Sequence, residues 1–297
     1  MDVINQERGD DWTIYNGDCV EVIRHIPDES IHMSVFSPPF ASLYTYSNSD
    51  RDFGNCTNYD EFFTQYDFLC SELFRVLKPG RMIAVHCMLL PTSKQHHGYI
   101  GLQDFRGDLI RAHQKSGMIF HSEVVIWKDP VIAMQRTKAL GLLWKQIKKD
   151  SCMSRQGVPD YVIVMRKPGD NTERVSHTAE EFPVDMWQKW ASPIWMDINP
   201  SNTLQKMAKD EKDERHICPL QLDVIKRCLG LWSNPGDIIL SPFAGIGSEG
   251  YQSILMGRKF VGIELKESYY NQAVINIKKA NPAKQLSLFQ SELQMAR

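Results

Sequence analysis

Two short runs in this chain bring together residue types that could do chemistry. Ser37-Pro38-Pro39-Phe40 offers a hydroxyl, a fixed carbonyl and an aromatic face, and Phe243-Ala244-Gly245-Ile246-Gly247 follows about two hundred residues later. In the first run, the Ser37 hydroxyl and the Pro38 carbonyl are two hydrogen-bond acceptors. Adjacent prolines fix φ and remove competing N–H donors, which holds that carbonyl in place. Two acceptors aimed at the hydrogens of an exocyclic amine favour a pyramidal nitrogen with its lone pair free to attack. Phe40 gives a flat ring a surface to stack on. The arrangement preorganises acceptors around developing positive charge and positions an in-line attack, with no covalent enzyme intermediate. In the second run, Gly245 and Gly247 permit backbone torsions closed to other residues and a close approach to a ligand. The helix start behind them offers free N–H groups to a carboxylate. Glu264 lies 19 residues beyond Gly245, the spacing at which an acid accepts ribose hydroxyls in dinucleotide folds. Gly245-x-Gly247-x-x-Gly250 alone is a weak signature of nucleotide binding, and the early Ser-Pro-Pro-Phe run separates this chain from a dehydrogenase.

Each run caps an apolar stretch, Ile31 to Phe36 for the first and Ile238 to Leu240 for the second. Continuous apolar stretches closed by Pro or Gly read as buried parallel strands. Ligands of such sheets sit at the carboxyl ends of the strands, so both loops can face one pocket. Further strands are expected over Trp12–Asn16, Met82–Leu90, Phe120–Trp127, Tyr161–Met165 and Phe260–Glu264. Helices are expected over Tyr59–Leu77, stopped by Lys78-Pro79-Gly80, and over Asp104–Lys115, Ala133–Lys149, Ile217–Trp232, Gly247–Met256 and Tyr269–Lys279. Alternation at this spacing predicts an α/β fold with a doubly wound, mostly parallel sheet. Ala41 to Asn58 is polar and aromatic without periodicity, the length and character of a functional loop.

Composition sets bounds. The 297 residues carry 34 Lys and Arg against 36 Asp and Glu, a formal charge of -2, so a nucleic-acid partner would need a local basic patch. Seven scattered cysteines without a C-x-x-C pair argue against a disulfide framework and a zinc ribbon. His86, Cys87, His96 and His97 are the densest set of metal-ligating types, and they read as a strand end plus a polar loop, so no metal is expected. No run approaches the ~20 apolar residues that span a bilayer, and the first residues do not read as a signal peptide. An intracellular, cytoplasmic protein without a membrane partner is expected.

Ser-Pro-Pro-Phe is a form of the (Asp/Asn/Ser)-Pro-Pro-(Tyr/Phe) motif of DNA methyltransferases that modify exocyclic amino groups, and the Phe-x-Gly-x-Gly loop resembles their S-adenosylmethionine motif. Catalytic motif first and cofactor motif last resembles the permuted β-class arrangement. The resemblance runs from Asp11 to Ala280 and is weaker over Lys167 to Arg215. It implies a Rossmann-like methyltransferase domain over 11–166 and 216–280, a target-recognition segment over 167–215, and a tail over 281–297. The implied cofactor is S-adenosyl-L-methionine, with Asp18 as the adenine-contacting acid beside Cys19, and with Phe243, Gly245, Gly247 and Glu264. Asp18 also reads as the N-cap of the helix that follows. His216-Ile217-Cys218-Pro219 loosely resembles the motif that closes over the methionine end. Ser37, Pro38, Pro39 and Phe40 become the catalytic set, acting on a base extruded from duplex DNA. Tyr44 and Tyr46 would stabilise the open duplex. Arg136, Lys138, Lys145, Lys148 and Lys149, with Arg155, read either as a phosphate-contacting surface or as a solvated helix face. Ser and Phe at the ends of the tetrapeptide resemble the cytosine-N4 members slightly more than the adenine-N6 members. Double-stranded DNA is the implied partner, together with a homodimer and a separate restriction endonuclease. Methylation of RNA or of a small aromatic amine, and a catalytically idle DNA-binding relative, are the competing readings.

Overall fold

A computed structural model describes residues 3–39, 59–131, 144–153, 155–204 and 219–280. The chain opens with a hairpin of β1 (Val3–Arg8) and β2 (Trp12–Gly17), then α1 (Cys19–Ile23) and β3 (Ile31–Phe36). A long helix, α2 (Tyr59–Val76), runs into β4 (Leu77–Met88). A small two-stranded excursion follows, built from β5 (Leu90–Thr92), α3 (Lys94–His97) and β6 (Gly101–Gln103). Next come α4 (Phe105–Lys115), β7 (Ile119–Ile126), α5 (Trp144–Ile147), β8 (Asp160–Arg166), α6 (Val184–Trp190) and β9 (Ile194–Trp195). The last part alternates regularly: α7 (Leu222–Trp232), β10 (Ile238–Ser241), α8 (Ser248–Leu255), β11 (Lys259–Glu264) and α9 (Glu267–Lys278).

Among the described residues, nine strands form one sheet in the order β1-β2-β11-β10-β3-β4-β8-β7-β9. The centre is parallel, β2 to β11 to β10 to β3 to β4, as the continuous apolar stretches predict. Both ends depart from that rule, and at one of them β1 runs antiparallel to β2. At the other, β8 runs antiparallel to both β4 and β7. Its first residue, Asp160, therefore lies at the edge where β3, β4 and β7 finish.

Both faces of the sheet are covered. On one, α2 presents Phe62, Tyr66, Leu69, Leu73 and Val76, spaced three or four apart, to Ile83, Val85 and Ile163, with Phe105 and Leu109 of α4 closing the layer. On the other, Val224, Ile225 and Leu229 of α7 and Ala273 and Ile277 of α9 cover Met33, Val35, Ala84, Val162 and Ile239. The alternation within β4 and β8 sends Val85, Cys87 and Ile163 to the first face and Ala84, Val162 and Val164 to the second.

The helix ends within one residue of the expected Leu77, but the strand expected from Met82 starts earlier. α2 ends at Val76 and the chain enters β4 at once, with Lys78, Pro79 and Gly80 inside its irregular start. Leu77 pairs with Ile31 and Met82 with Met33, so the register slips between them. A bulge tolerates the missing proline N–H, and Gly80 N–H donates to Lys167 O at 3.0 Å. The segment from Lys167 onward also joins the sheet: β9 pairs in parallel with β7. Trp195 is fully buried there, its indole N–H donating to Trp190 O at 3.1 Å. The hairpin strand β1 and the short β9 are elements that the sequence pattern did not mark.

Tyr66 and His113 form a buried polar pair in the first face, Tyr66 Oη 3.0 Å from His113 Nε2. Burial pushes the imidazole down from 6.5 to about 4, so His113 stays neutral while an unfolded chain takes up a proton. Stability is therefore full above 6.5 and falls as pH descends toward 4. The full difference corresponds to about 3 kcal/mol. Urea midpoints measured between pH 7 and 4.5 should fall more steeply for the wild type than for a Tyr66→Phe/His113→Leu double variant. Parallel curves would show that another group governs the acid limb.

Candidate active site

Ser37 is the first residue beyond β3, and β3 lies between β10 and β4. The two sequence runs therefore leave adjacent parallel strands at the same edge. Phe36 and Phe243 touch directly, with ring centroids 5.8 Å apart. Pro38 is buried and Pro39 half-buried, which seats the tetrapeptide against the sheet.

The Ser37 hydroxyl has two neighbours from one residue: His86 Nδ1 at 3.1 Å and His86 O at 3.3 Å. His86 stands near the end of β4 and is buried. Its other nitrogen, Nε2, lies 3.1 Å from Asp160 Oδ2, at ion-pair distance. Lys128, two residues past β7, places Nζ 2.5 Å from the same oxygen. Burial opposes ionisation of Asp160, but the charges of His86 and Lys128 outweigh it and hold the carboxyl below the ordinary range. An ionised carboxylate thus sits behind His86, which sits behind Ser37.

The glycine loop is tied down at each step. Ala244 N–H donates to Ile263 O and Gly245 N–H to Glu264 Oε2, both at 2.8 Å. Asn276 Nδ2 holds Ile246 O at 2.8 Å. Gly247 caps α8 with φ +84, and a Cβ there would lie 3.0 Å from Ala273 Cα, so the position requires glycine. Glu264 also accepts from Lys266 N–H through Oε1 at 2.9 Å. Asn16 Nδ2 donates to the carbonyls of Glu264 and Leu265, each at 2.9 Å, and fixes the end of β11 against β2. Asp18 follows β2 and accepts from Val20 N–H at 2.8 Å, so the N-cap reading of this residue holds. Cys19 is buried, and burial, then the charge of Asp18, push its thiol up, so it is no nucleophile.

These groups fit an adenosyl cofactor carrying an amino acid. A Cβ on Gly245 would meet nothing within 4 Å, so the loop faces open space. Ser241, which ends β10, has a buried hydroxyl without a hydrogen-bond partner among the described residues. Asp18 and Glu264, on paired strands, would accept from adenine amino and ribose hydroxyl groups. The start of α8 would take a carboxylate. Burial, reinforced by the charge of Glu264, pushes Glu249 in its first turn up to about 8. A neutral Glu249 leaves the positive end of that helix unquenched at neutral pH.

Other expected residues fall differently. Phe40, Tyr44, Tyr46, Arg136, Lys138 and the His216-Ile217-Cys218 stretch lie outside the described residues. Lys145, Lys148 and Lys149 are exposed on α5 and the turn after it, with Lys148 Nζ 5.1 Å above the Trp144 ring. The chain carrying them leaves at Lys128 and returns at Asp160, the same edge as Ser37. His86 and Cys87 point to opposite faces of β4, Cys87 into the core. Among the described residues, the metal-ligating types that come together are His32, Glu173 and Asp237. There His32 Nδ1 accepts from Ile238 N–H at 3.1 Å, which places the ring proton on Nε2, 2.8 Å from Glu173 Oε2. Arg81 pairs with Asp237 and Lys78 with Glu173, so the group is an ion-pair network at the amino edge. Sequence reasoning missed Asp160 and Lys128 and left His86 without a role. The one available signal was a histidine at the end of an apolar strand.

Two variants test the cofactor side by calorimetric titration. Glu264→Ala strips an acceptor from two loop N–H groups and should weaken S-adenosylmethionine binding about 10- to 100-fold, the scale of one or two charged hydrogen bonds. Gly247→Ala should lower stability by about 1–3 kcal/mol and weaken binding as well. Unchanged affinity in both would place the cofactor elsewhere.

A family model described as DNA methylase matches residues 31–275. Type II methyltransferase M.BamHI of Bacillus amyloliquefaciens is 22% identical over 252 residues, covering 85% of this chain and 54% of that protein. The chain thus spans about half the length of that relative. DNA adenine methyltransferase YhdJ of Escherichia coli (strain K12) is 25% identical over 264 residues, 86% of this chain and 79% of that protein. Among solved structures, TTHA0409 of Thermus thermophilus in complex with S-adenosyl-L-methionine superposes with a TM-score of 0.67 at 21% identity. That match covers 90% of this chain and 93% of the other. At that identity the superposition speaks for the fold.

Proposed function

The chain belongs to the N4/N6 DNA methylase family, and on that premise we propose that it methylates the exocyclic amine of a base extruded from duplex DNA, with S-adenosylmethionine as donor. The observation that carries this reading is the contact of Phe36 with Phe243, which joins the Ser-Pro-Pro run to the glycine loop at one sheet edge. The bound cofactor supplies an electrophilic methyl group. Asp18, Gly245, Glu264 and the start of α8 hold and orient it, with Cys19 and Phe243 packed behind them. Ser37 Oγ and the Pro38 carbonyl accept the amine hydrogens, Pro39 stiffens the turn, and Phe40 stacks on the base. Extrusion costs a few kcal/mol, which contacts from Tyr44 and Tyr46 would offset.

Duplex DNA is the substrate, with Arg136, Lys138, Lys145, Lys148 and Lys149 meeting phosphates. The methyltransferase domain spans 11–166 and 216–280, and the segment 167–215 reads the target sequence. A homodimer and a separate restriction endonuclease complete the proposed partners. Ser37 together with Phe40 favours cytosine N4, whereas the relative YhdJ is by name an adenine enzyme. The balanced formal charge of -2 favours a second reading, methylation of RNA or a small aromatic amine.

Unmethylated genomic DNA incubated with the protein and labelled S-adenosylmethionine, then digested to nucleosides for mass spectrometry, separates these readings. Label is expected in N4-methylcytosine. Label in N6-methyladenine would reverse the base assignment, and no label in DNA, with cofactor bound, would favour the second reading. Ser37→Ala should cut turnover about 100-fold or more and leave cofactor affinity within about twofold.

A further inference from the structure

We propose that Ser37, His86, Asp160 and Lys128 form a proton-relay chain, in which His86 orients the Ser37 hydroxyl and receives, through it, the proton that the methylated amine must lose. This rests on the reading of Ser37 as the acceptor for the target amine.

A serine hydroxyl rotates freely unless something fixes its hydrogen. Among the described residues, both neighbours within reach of Ser37 Oγ belong to His86, the ring Nδ1 at 3.1 Å and the carbonyl at 3.3 Å. Asp160, 3.1 Å from Nε2, favours the tautomer with the ring proton on Nε2 and leaves Nδ1 as an acceptor. The hydroxyl hydrogen then points at His86, and the lone pairs of Ser37 Oγ point away from it, toward the amine.

When the nitrogen lone pair forms the N–C bond and the C–S pair returns to sulfur, the nitrogen carries four substituents and a positive charge. Its N–H pair returns to nitrogen as the proton passes to Ser37 Oγ, and the hydroxyl proton passes to His86 Nδ1. The imidazolium faces the Asp160 carboxylate and later releases its proton to water. Lys128 Nζ lies 2.5 Å from the same carboxylate oxygen and shares it with His86. His86 and Lys128 act through other groups and are positioning residues. Ser37 touches the substrate and is the catalytic one.

Charged groups stand on the His86 face of the sheet and around its edge. β8 contributes Asp160 and the chain after β7 contributes Lys128. On the same face, α7 carries Asp223, engaged by Asn202 Nδ2 at 2.8 Å, Arg227, paired with Asp197 at 2.8 Å, and Lys226. Arg106 and Glu123 pair at 3.0 Å, and Glu123 stands opposite Ile163, on the other face of the sheet.

Removing the carboxylate lowers the basicity of His86, and removing the ammonium raises it. Single-turnover methylation measured against pH should show its acidic limb at lower pH in Asp160→Asn than in the wild type, and at higher pH in Lys128→Met. The histidine ¹⁵N resonances of His86, titrated without cofactor, should move in the same order. His86→Asn should lose about 100-fold in rate, the lower end of proton-transfer catalysis. If that variant fails to fold, the two charge variants still decide. Methylation with an unmoved limb and unmoved resonances, or with both variants shifted alike, overturns the relay and leaves the proposed function standing. A wild type that methylates no DNA overturns the proposed function, and the relay with it.

Discussion

Parallel pairing of β3 with β10 on one side and β4 on the other is the constraint from which this site follows. Strands that run the same way finish at the same edge, whatever their distance along the chain. Ser37 and the Gly245 loop are brought together by that alignment alone. The alignment is held from both faces, with Phe36 in one apolar layer and Met33, Val35 and Ile239 in the other. The strand ends are then fixed by specific hydrogen bonds. Asn16 clamps the close of β11, and Glu264 binds the N–H groups of Gly245 and Lys266. The cofactor side is therefore shaped before any ligand arrives, which reduces the ordering cost of binding.

The antiparallel strand adds the second half of the chemistry. A strand running against β4 must begin where β4 ends, so β8 delivers its first residue to the active edge. Asp160 is that residue, opposite Met88 on one side and Ile126 on the other. A buried carboxylate survives ionised only with compensating charge, and Lys128 provides it while His86 is neutral. The opposite edge is organised differently. There His32, Arg81, Lys78, Glu173 and Asp237 neutralise one another, which is a structural use of charge and not a catalytic one.

Much of this was legible in the residues. Ile238 to Leu240 is unbroken and Ile31 to Phe36 is interrupted only by His32 and Ser34, and such stretches closed by Pro or Gly read as buried parallel strands. The proposed roles of Ser37 and Gly245 are read directly because they depend on a tetrapeptide and a turn, both local in sequence. Asp160 was not legible. In Val158-Pro159-Asp160 it looks like a turn residue, and its partners come from β4 and β7, whose pairing with β8 no local pattern specifies. His86 was ambiguous for the same reason, since a strand position gives a face but not the neighbour across it. The start of β4 misled because Pro79 and Gly80 signal a break in a strand, and tertiary bonds to Lys167 made them part of a bulge.

A crystal structure of the protein with S-adenosylhomocysteine bears most directly on the central claim, that the two loops form one methyl-transfer site. The account predicts adenosine density between Asp18 and Glu264, the amino-acid carboxylate at the start of α8, and the sulfur facing Ser37. Density at another edge of the sheet, or a sulfur turned away from Ser37, would contradict it.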